Sequence, residues 1–347
     1  MKPLRFGMVG CGGIAGLHAP ILKQLEKENL VQFVAGAEPH PGRREAYAKK
    51  WEIPVHESLG ELLKRKDLDV VTVASPSGMH GKHVAEIARS GRHILCEKPL
   101  DTRVERADMA IEAARQAGVV LGGIFQQRFA PGPMLVRRAV QEGYFGQIVF
   151  VHCETPWYRT QEYYDSGDWR GTWNLDGGVL SNQCPHMIDR LIWLGGDVKE
   201  VISATCDAGR DRKIEAETLA VATLRLENGA LGTITGTTLA YDGMAQRVLI
   251  CGTDGSAGFV GDELSYFKTK QAFDGAPSAA AEGGLGGASN PLAIATNSHE
   301  LNIRDFVDAV QHGRRPLVTG EEERKVVRVL NMIYEKAGVG PYAGKGK

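Results

Sequence analysis

The sequence lacks the features that mark exported, membrane-spanning or nucleic-acid-binding proteins. Its six cysteines include no CxxC pair, so it offers neither a disulfide framework nor a structural zinc motif, and we expect no bound metal. No apolar run approaches the length needed to span a bilayer. The net charge of −1 lacks the basic excess of a nucleic-acid binder. Small-molecule partners therefore remain the open class.

The first residues also lack the layout of a signal peptide. "MKPLRFGMVG" goes straight into a strand pattern. With scattered cysteines, this favours a reducing cytoplasm as the location of the protein. A chain of 347 residues is too long for one ordinary core, so we expect two domains.

Short apolar runs alternate with helical patterns through the first third of the chain. Strands are predicted at "LRFGMV", "VQFVAGA", "DVVTVAS", "HILCE" and "VVLGGIF". The segments between them predict amphipathic helices, the first from about Ile14 to Glu26. Continuous Val/Ile-rich runs between such helices are typical of a parallel sheet covered on both faces. We therefore predict an α/β protein whose residues 1–125 form a Rossmann dinucleotide-binding domain.

After about Phe125, longer β-like stretches predominate. "TLAVATLRLENGALGTITGTTLAY" includes an alternating run and "ENGA", a hairpin-turn signal. We predict a large, mostly antiparallel open sheet with one or two helices, one of them roughly from Gly178 to Leu194. Residues 126–347 then form a second α/β domain, with a flexible Gly-rich loop near 271–292 and two helices at its end.

A glycine-rich turn follows the first predicted strand. "GCGGIAG" fills a GxGxxG/A pattern, in which glycine permits a tight turn and lets a pyrophosphate approach the start of a helix. Glu38 ends the second strand, where a carboxylate can bind ribose hydroxyls and repel a 2′-phosphate. This context favours NAD over NADP or FAD, and over a plain surface turn. The expected cofactor contacts in this part of the chain are Gly10, Gly12, Gly13, Ile14, Ala15, Glu38 and Arg43.

Two further loops follow predicted strands, "ASPSGMH" and "CEKPL". Ligands of such sheets bind at the carboxyl ends of the strands, so we expect these loops to contact the nicotinamide. Beside that ring, Lys98 becomes a candidate acid or base, because a nearby positive charge lowers a lysine pKa. Without that context, the simpler interpretation is that Lys98 is a solvated surface lysine and that Pro99 starts a helix. The cofactor contacts expected in the two loops are Ser75, Pro76, His80, Glu97 and Lys98.

The segment "DGGVLSNQCPHMID" carries Asn182 four residues before His186. Within one helix, this spacing places both side chains on one face. An amide does not titrate, so Asn182 can only bind a hydroxyl, and proton transfer falls to His186 or Lys98, a choice that the sequence leaves open. Asp176 and Asp189 are carboxylates in the same segment that could assist His186, although Asp189 is better placed to fix the helix. The candidate catalytic residues are Lys98, His186 and Asn182.

Aromatic residues and arginines are concentrated in "WYRTQEYYDSGDWRGTW". Aromatic faces can stack on sugar rings, and arginines can hold a carboxylate or phosphate through bidentate hydrogen bonds. Core packing competes for the same side chains. The candidate substrate-binding residues are Arg128, Trp157, Arg159, Tyr163, Trp169, Arg170, Asn182 and His186. Arg128 is the weakest candidate, since it could simply brace a domain junction.

In this order, the motifs resemble those of the Gfo/Idh/MocA family of NAD(P)-dependent oxidoreductases. The resemblance rests on "GCGGIAG", "SPSGMH", "CEKPL", "DGGVLSNQCPHMID" and "RDFVDAVQHGRRPLVTGEE". It implies a Rossmann domain, a substrate-binding domain whose sheet forms a homodimer or homotetramer, and hydride transfer on a sugar, polyol or related substrate. It also implies a cis peptide before Pro99 and active-site roles for Lys98 and His186. Many members have Asp in place of Asn182, and the Asn-Gln pair resembles the branch with nucleotide-sugar 3-dehydrogenases.

Three functions remain open at this point. The leading one is an NAD-dependent sugar or polyol dehydrogenase. A glycoside-cleaving enzyme could instead use tightly bound NAD in a cycle of oxidation, elimination and reduction. A non-catalytic NAD-binding regulator is the third, and the presence of both Lys98 and His186 argues against it.

Overall fold

The computed structural model describes residues 2–208, 212–275 and 296–344. Contacts divide the chain into two compact units, Met1–Phe125 with His299–Arg324 and Gln126–Ser298 with Lys325–Lys347. The sequence-based boundary assigned every residue after 125 to the second domain, whereas residues 299–324 group with the first unit. The flexible loop predicted near 271–292 lies outside the described residues from position 276 onward.

The first unit contains a six-stranded parallel sheet. Its strands are β1 (Leu4–Val9), β2 (Val31–Ala37), β3 (Val55–His56), β4 (Val70–Val73), β5 (His93–Cys96) and β6 (Leu121–Gly123). The strand order is β3-β2-β1-β4-β5-β6, and every neighbouring pair is parallel. This order confirms the predicted Rossmann sheet, in which the ligand crevice lies at the carboxyl ends of β1 and β4, where the order reverses.

Five helices connect these strands. They are α1 (Ala15–Lys27), α2 (Pro41–Trp51), α3 (Leu59–Leu63), α4 (His80–Arg89) and α5 (Val104–Ala117). The first helix matches its predicted range within one residue at each end. Its apolar residues join a core around Phe6, on which Phe306 packs edge-on with ring centroids 6.5 Å apart. The two-residue β3 and the short α3 were not predicted, because neither is long enough to show a period.

The second unit contains a seven-stranded sheet. Its strands are β7 (Ile148–Pro156), β8 (Val198–Ala208), β9 (Glu217–Leu226), β10 (Leu231–Thr237), β11 (Arg247–Gly252), β12 (Gly255–Val260) and β13 (Glu263–Thr269). The order is β13-β12-β11-β7-β10-β9-β8, in which β7 and β10 run parallel and the other pairs antiparallel. This confirms the predicted large, mostly antiparallel sheet. The "ENGA" turn joins β9 to β10, with Gly229 at φ +87°.

The remaining helices are α6 (Pro131–Gln141), α7 (Gln161–Asp165), α8 (Val179–Asn182), α9 (Pro185–Gly195), α10 (Thr296–His312) and α11 (Gly320–Ala337). The prediction of one or two helices before the C-terminal pair is therefore wrong, as is the single helix from Gly178 to Leu194. Pro185 has no N–H and its ring would clash with the carbonyl four residues earlier. The helix consequently ends at Asn182, and Pro185 begins α9 in the favourable first position.

None of the helices in the described ranges is long and apolar enough to cross a membrane. All six cysteines lie in the described ranges, and none of them forms a disulfide bond. Within the same ranges, no group of three or more His, Cys, Asp or Glu side chains could hold a metal ion.

Candidate functional site

The turn after β1 is built around Gly10, whose φ of +84° is a conformation that side chains rarely adopt. A Cβ on Gly10 would lie 2.7 Å from the backbone of Ala74, in the loop after β4. Glycine is therefore required for the two loops to meet at the switch point of the sheet.

Gly12 and Gly13 have a different environment. A Cβ added to either residue would meet nothing within 4 Å. Both lie directly before α1, whose N-terminal end favours negative charge through the helix dipole. An open, glycine-lined approach to a helix N-terminus fits the pyrophosphate of a dinucleotide. The predicted contacts Ile14 and Ala15 lie at the start of the same helix.

Glu38 follows β2 and is 3% exposed. Its Oε2 accepts a hydrogen bond from the backbone N–H of Cys11 at 3.0 Å, which ties the end of β2 to the glycine turn. Its Oε1 accepts from the N–H of His40 and from Arg43, both at 3.0 Å. The guanidinium of Arg43 is thus held against Glu38. The structure brings the glycine turn, Glu38 and Arg43 together, as the sequence suggested.

Glu97 and Lys98 follow β5, and the Lys98–Pro99 peptide is cis, as the resemblance implied. The Glu97 carboxylate is buried and lies 2.7 Å from His18 Nε2. Burial alone would raise the pKa of Glu97, but the hydrogen bond from His18 and the charges of His18, His299 and Lys98 outweigh it and lower the pKa to about 2. Glu97 is therefore an anion anchored in the core of the unit, and Lys98 beside it is half-buried.

The loop after β4 places Ser75 and His80 differently from expectation. Ser75 Oγ lies 2.9 Å from Nδ1 of His83, and burial lowers the pKa of His83 to about 4. His80 is 1% exposed, and its two ring nitrogens lie 2.8 Å from the Pro99 carbonyl oxygen and 2.7 Å from that of Ser75. Backbone carbonyls occupy both nitrogens of the His80 ring, which does not favour the expected contact with the cofactor, and that contact stays a prediction.

In the second unit, the turn "DGG" precedes α8. Asp176 is 1% exposed, and its Oδ2 accepts from the backbone N–H of Gly171 at 2.7 Å. The Asn182 amide donates to Asp176 Oδ1, while its own oxygen accepts from Gln183 Nε2 at 2.9 Å. The hydrogen-bonded helix is interrupted after Asn182, but Gln183 and Cys184 keep right-handed helical dihedral angles, so the shared face with His186 stays a prediction. Asn182 ends α8, and His186 lies in the first turn of α9.

Glu217, the first residue of β9, is a buried residue that sequence reasoning missed. Its Oε1 accepts from the backbone N–H of Leu180 at 2.9 Å and from the hydroxyl of Tyr334 at 2.8 Å. A Cβ on Gly178 would lie 2.1 Å from Glu217, so the second glycine of "DGG" is required by this close approach. Burial raises the pKa of Glu217 to about 7. The available signal was an acidic residue at the start of an apolar, alternating strand.

Arg159 and Arg170 lie on the ring of Tyr163, with guanidinium carbons 5.3 and 4.3 Å from its centroid. Arg170 Nη1 donates to the Tyr163 hydroxyl at 2.8 Å, and that hydroxyl lies 3.4 Å from Asn182 Oδ1. The arginine–aromatic segment is therefore linked to the end of α8. The predicted aromatics extend the same stack, since the guanidinium carbons lie 4.8 Å from the Trp157 ring and 4.5 Å from the Trp169 ring.

Arg128 lies apart from this stack. Both it and Asp189 are 2% exposed, and Arg128 Nε donates to Asp189 Oδ2 at 2.9 Å. A second guanidinium nitrogen donates to the other carboxylate oxygen, and the guanidinium covers the Trp193 ring at 5.2 Å. This bidentate ion pair is a structural brace for α9. Asp189 thus fixes the helix, whereas the substrate-binding role expected of Arg128 stays a prediction that this pair does not favour.

Two family models match the chain. "Oxidoreductase family, NAD-binding Rossmann fold" matches residues 4–125, and "GFO/IDH/MocA C-terminal domain" matches residues 134–258. The crystal structure of the WlbA dehydrogenase from Bordetella pertussis, in complex with NADH and UDP-GlcNAcA, is 30% identical, covers 97% of each chain and superposes with a TM-score of 0.86.

Curated relatives agree with this result. D-xylose 1-dehydrogenase (NADP(+)) 2 of Haloferax volcanii is 28% identical over 97% of this chain and 98% of its own. Myo-inositol 2-dehydrogenase of Thermotoga maritima is 26% identical over 73% of this chain and 74% of its own. The expected cofactor, NAD, agrees with the family description and with the NADH in the WlbA complex. The chain therefore belongs to the GFO/IDH/MocA family of oxidoreductases and has an NAD-binding Rossmann fold.

Proposed function

We propose that this protein is a dehydrogenase that transfers a hydride between NAD and a secondary hydroxyl of a sugar, polyol or sugar derivative. The observation that carries the proposal is Lys98, held half-buried at the carboxyl end of β5 in a dinucleotide-binding sheet. Its neighbours Glu97 and Pro99 are anchored by His18 and His80. An amine fixed in this way beside a nicotinamide site suits acid–base work on an alcohol.

The cofactor would be held by residues of the first unit. Gly12, Gly13 and the start of α1 would bind the pyrophosphate, and Glu38 the adenosine ribose. A 2′-phosphate would bring negative charge against the buried Glu38 carboxylate, which favours NAD over NADP. Ser75 and Pro76 would flank the nicotinamide. NAD supplies the hydride acceptor, and the protein supplies binding, orientation and proton transfer.

The proton of the substrate hydroxyl would pass to Lys98 or to His186, and the choice between them stays open. Asn182 has a supporting part in the proposal. Its amide already bonds Asp176 and Gln183, so we assign it to positioning the polypeptide before His186 instead of to the reaction itself. A residue that acts in this way affects rate through geometry.

The second unit supports a substrate that carries an anionic group. Arg159 and Arg170 both lie on Tyr163, and Arg170 is only partly buried. Guanidinium groups preorganised by stacking bind carboxylate or phosphate in bidentate fashion. Trp157 and Trp169 lie in the same stack, where their exposed faces could pack on a sugar ring. A uronate or a nucleotide sugar fits this combination.

The test is a substrate screen that follows reduced nicotinamide by absorbance. Sugars, inositols and nucleotide sugars are each offered with NAD and with NADP, and a nucleotide uronate is paired with its neutral parent sugar. We expect turnover with NAD and preference for the uronate. NADH that accumulates with product excludes a cycle in which bound NAD is reoxidised in place. Absence of NADH formation with every compound would sink the proposal.

We also propose that copies of this chain associate through the outer face of the second sheet. Val221, Leu231, Leu249 and Tyr266 are 40–51% exposed, and strand register places them on one face. Exposed apolar side chains concentrated on a sheet face are typical of an interface. Light scattering should give a dimer or tetramer that Leu231→Glu dissociates, while Met109→Glu, on the exposed side of α5, leaves it intact. A wild-type monomer would contradict this. The cytoplasmic location likewise remains a proposal.

A further inference from the structure

His80 stands at a junction of two loops of the first unit. It begins α4, and its ring lies between the carbonyl of Ser75, after β4, and that of Pro99, after β5. The distances are 2.7 Å from Nε2 and 2.8 Å from Nδ1, and the residue is 1% exposed. The ring therefore links the two strand-end loops that flank Lys98.

The chemistry of the two partners determines the charge of the ring. A carbonyl oxygen can only accept a hydrogen bond, and a neutral imidazole has only one N–H. In either neutral tautomer, one ring nitrogen would present a lone pair to a carbonyl lone pair at hydrogen-bond distance. Only the imidazolium satisfies both contacts. We propose that the His80 ring donates from both nitrogens and acts as a clamp, a positioning residue that holds the Lys98 loop in place.

The surroundings of His80 support a buried cation. Asp101 is fully buried, and its two carboxylate oxygens accept from the backbone N–H groups of Gly81 and Arg103, each at 3.1 Å. Bonds to both oxygens favour the ionised carboxylate. Burial raises the pKa of Asp101, and the hydrogen bond from Gly81 and the charges of Arg106 and His80 partly oppose this rise. The negative charge of Asp101 also offsets the repulsion between a cation at the start of α4 and the positive end of the helix dipole.

Other charged or titratable groups near the ring are Arg106, Lys82, His83 and Lys98. Arg106 Nη1 lies 3.7 Å from Asp101 Oδ1, so the Asp101 carboxylate interacts with the guanidinium of Arg106 as well as with His80. His83, three residues along α4, has the opposite character, because burial and the charges of His80 and Lys82 lower its pKa to about 4. Its partner Ser75 Oγ is a hydroxyl, which can donate to a neutral ring. One helix turn thus carries a charged histidine and a neutral one.

The clamp deepens the proposed function and rests on it only for its catalytic consequence. Pro99 follows Lys98 directly, so a fixed Pro99 carbonyl restricts where the Lys98 backbone can lie. Loss of one hydrogen bond at His80 should let the loop after β5 shift relative to the loop after β4. Displacement of a reacting group costs rate more than ground-state cofactor binding.

The direct test needs no substrate. Wild-type protein with ¹⁵N-labelled histidine is observed by NMR near neutral pH, and His80 is assigned from the signals lost in His80→Gln. We expect both ring nitrogens of His80 to be protonated, whereas His83 in the same spectrum shows one unprotonated nitrogen. An unprotonated nitrogen on His80 would overturn the proposal, whether or not a substrate has been found.

Chemical rescue separates a two-donor clamp from simple packing. In His80→Ala, free imidazole can restore both hydrogen bonds, whereas 1-methylimidazole fills the same space with one donor removed. We expect imidazole to raise the thermal midpoint of His80→Ala and to recover about tenfold of lost kcat, a gain typical of one hydrogen bond to a charged group. Equal rescue by the methylated ring would refute the clamp. The wild type and the exposed-site variant His312→Ala serve as controls that imidazole should leave unchanged.

Discussion

The side-chain amide of Asn182 donates a hydrogen bond to the buried carboxylate of Asp176, and this bond joins the end of α8 to the "DGG" turn. The amide therefore has a structural role at this position, because its N–H can donate to a carboxylate. An acid in its place would face the buried carboxylate of Asp176. This contact gives Asn182 a testable role that does not depend on the reaction.

Asn182→Asp should destabilise the protein in a pH-dependent way. The substitution places a second, partly buried carboxylate against the buried Asp176, which disfavours ionisation of both, so one pKa of the pair rises above its unfolded value. A raised folded pKa means that stability is present at acid pH and is lost as pH rises through that pKa. We expect the free energy of unfolding of Asn182→Asp to be about 2 kcal/mol lower than that of the wild type near neutral pH, and the difference to shrink in acid. Urea unfolding measures both.

The control is the exchanged pair, in which Asp176→Asn accompanies Asn182→Asp. It retains one acid and one amide at hydrogen-bond distance, so it should recover most of the lost stability. A deficit independent of pH, or an exchange that recovers nothing, would show that the contact does not act through charge.

Glu217→Gln should flatten the pH dependence of stability. The folded pKa of Glu217, about 7, lies above its ordinary value of 4.5. Its contribution is therefore fully present below about pH 4.5 and is lost as pH rises to about 7. The difference corresponds to about 3 kcal/mol. An amide stays neutral, so the free energy of unfolding of Glu217→Gln should rise relative to that of the wild type as pH rises. The exposed-site variant Glu227→Gln should show no such rise.

Arg170→Gln should discriminate between substrates that differ only in charge. If the guanidinium binds a carboxylate, its removal raises KM for a nucleotide uronate roughly 10- to 100-fold, the range for a charged hydrogen bond. KM for the neutral parent sugar should change little. Arg115→Gln removes an exposed arginine on α5 and provides the control. Equal losses with both sugars would assign Arg170 to folding of the segment and exclude anion binding.

Glu38→Ser should relax the choice of cofactor. Removal of the buried carboxylate eliminates repulsion of a 2′-phosphate, so kcat/KM with NADP should rise relative to NAD by about tenfold or more. The ratio of kcat/KM with NADP to kcat/KM with NAD is compared, because loss of the bond to Cys11 will also loosen the glycine turn for both cofactors. Glu45→Ser, on the exposed side of α2, should leave the ratio unchanged. An unaltered ratio in Glu38→Ser would mean that selectivity arises elsewhere.

The sequence predicted the first sheet well because parallel strands alternate with helices long enough to show their period. The predicted positions of Gly10 near the end of β1 and of Glu38 at the end of β2 also agree with the structure, since a strand, a turn and a helix fix them locally. The helix break between Asn182 and His186 was missed even though Pro185 is visible in the sequence. The spacing of the two side chains favours one continuous helix, whereas Pro185 has no N–H with which to continue it.

Long-range contacts could not be predicted from local pattern. Arg128 and Asp189 are 61 residues apart and meet only through packing of the second unit. Glu217 and Gly178 are likewise distant in sequence, and their close approach depends on strand register. His80 was expected to face the cofactor because it lies in the right loop. The carbonyl of Pro99, which determines its orientation, lies in another loop.

The central claim is that Lys98 serves a nicotinamide-dependent dehydrogenation, and one measurement tests it most directly. NADH formation is followed with the best substrate of the screen for the wild type and for Lys98→Ala, while NAD affinity is measured on both by calorimetry. We predict stoichiometric NADH from the wild type, a rate lower by about 10²-fold or more in Lys98→Ala, and nearly equal NAD affinity. Wild-type rates in Lys98→Ala would contradict the account.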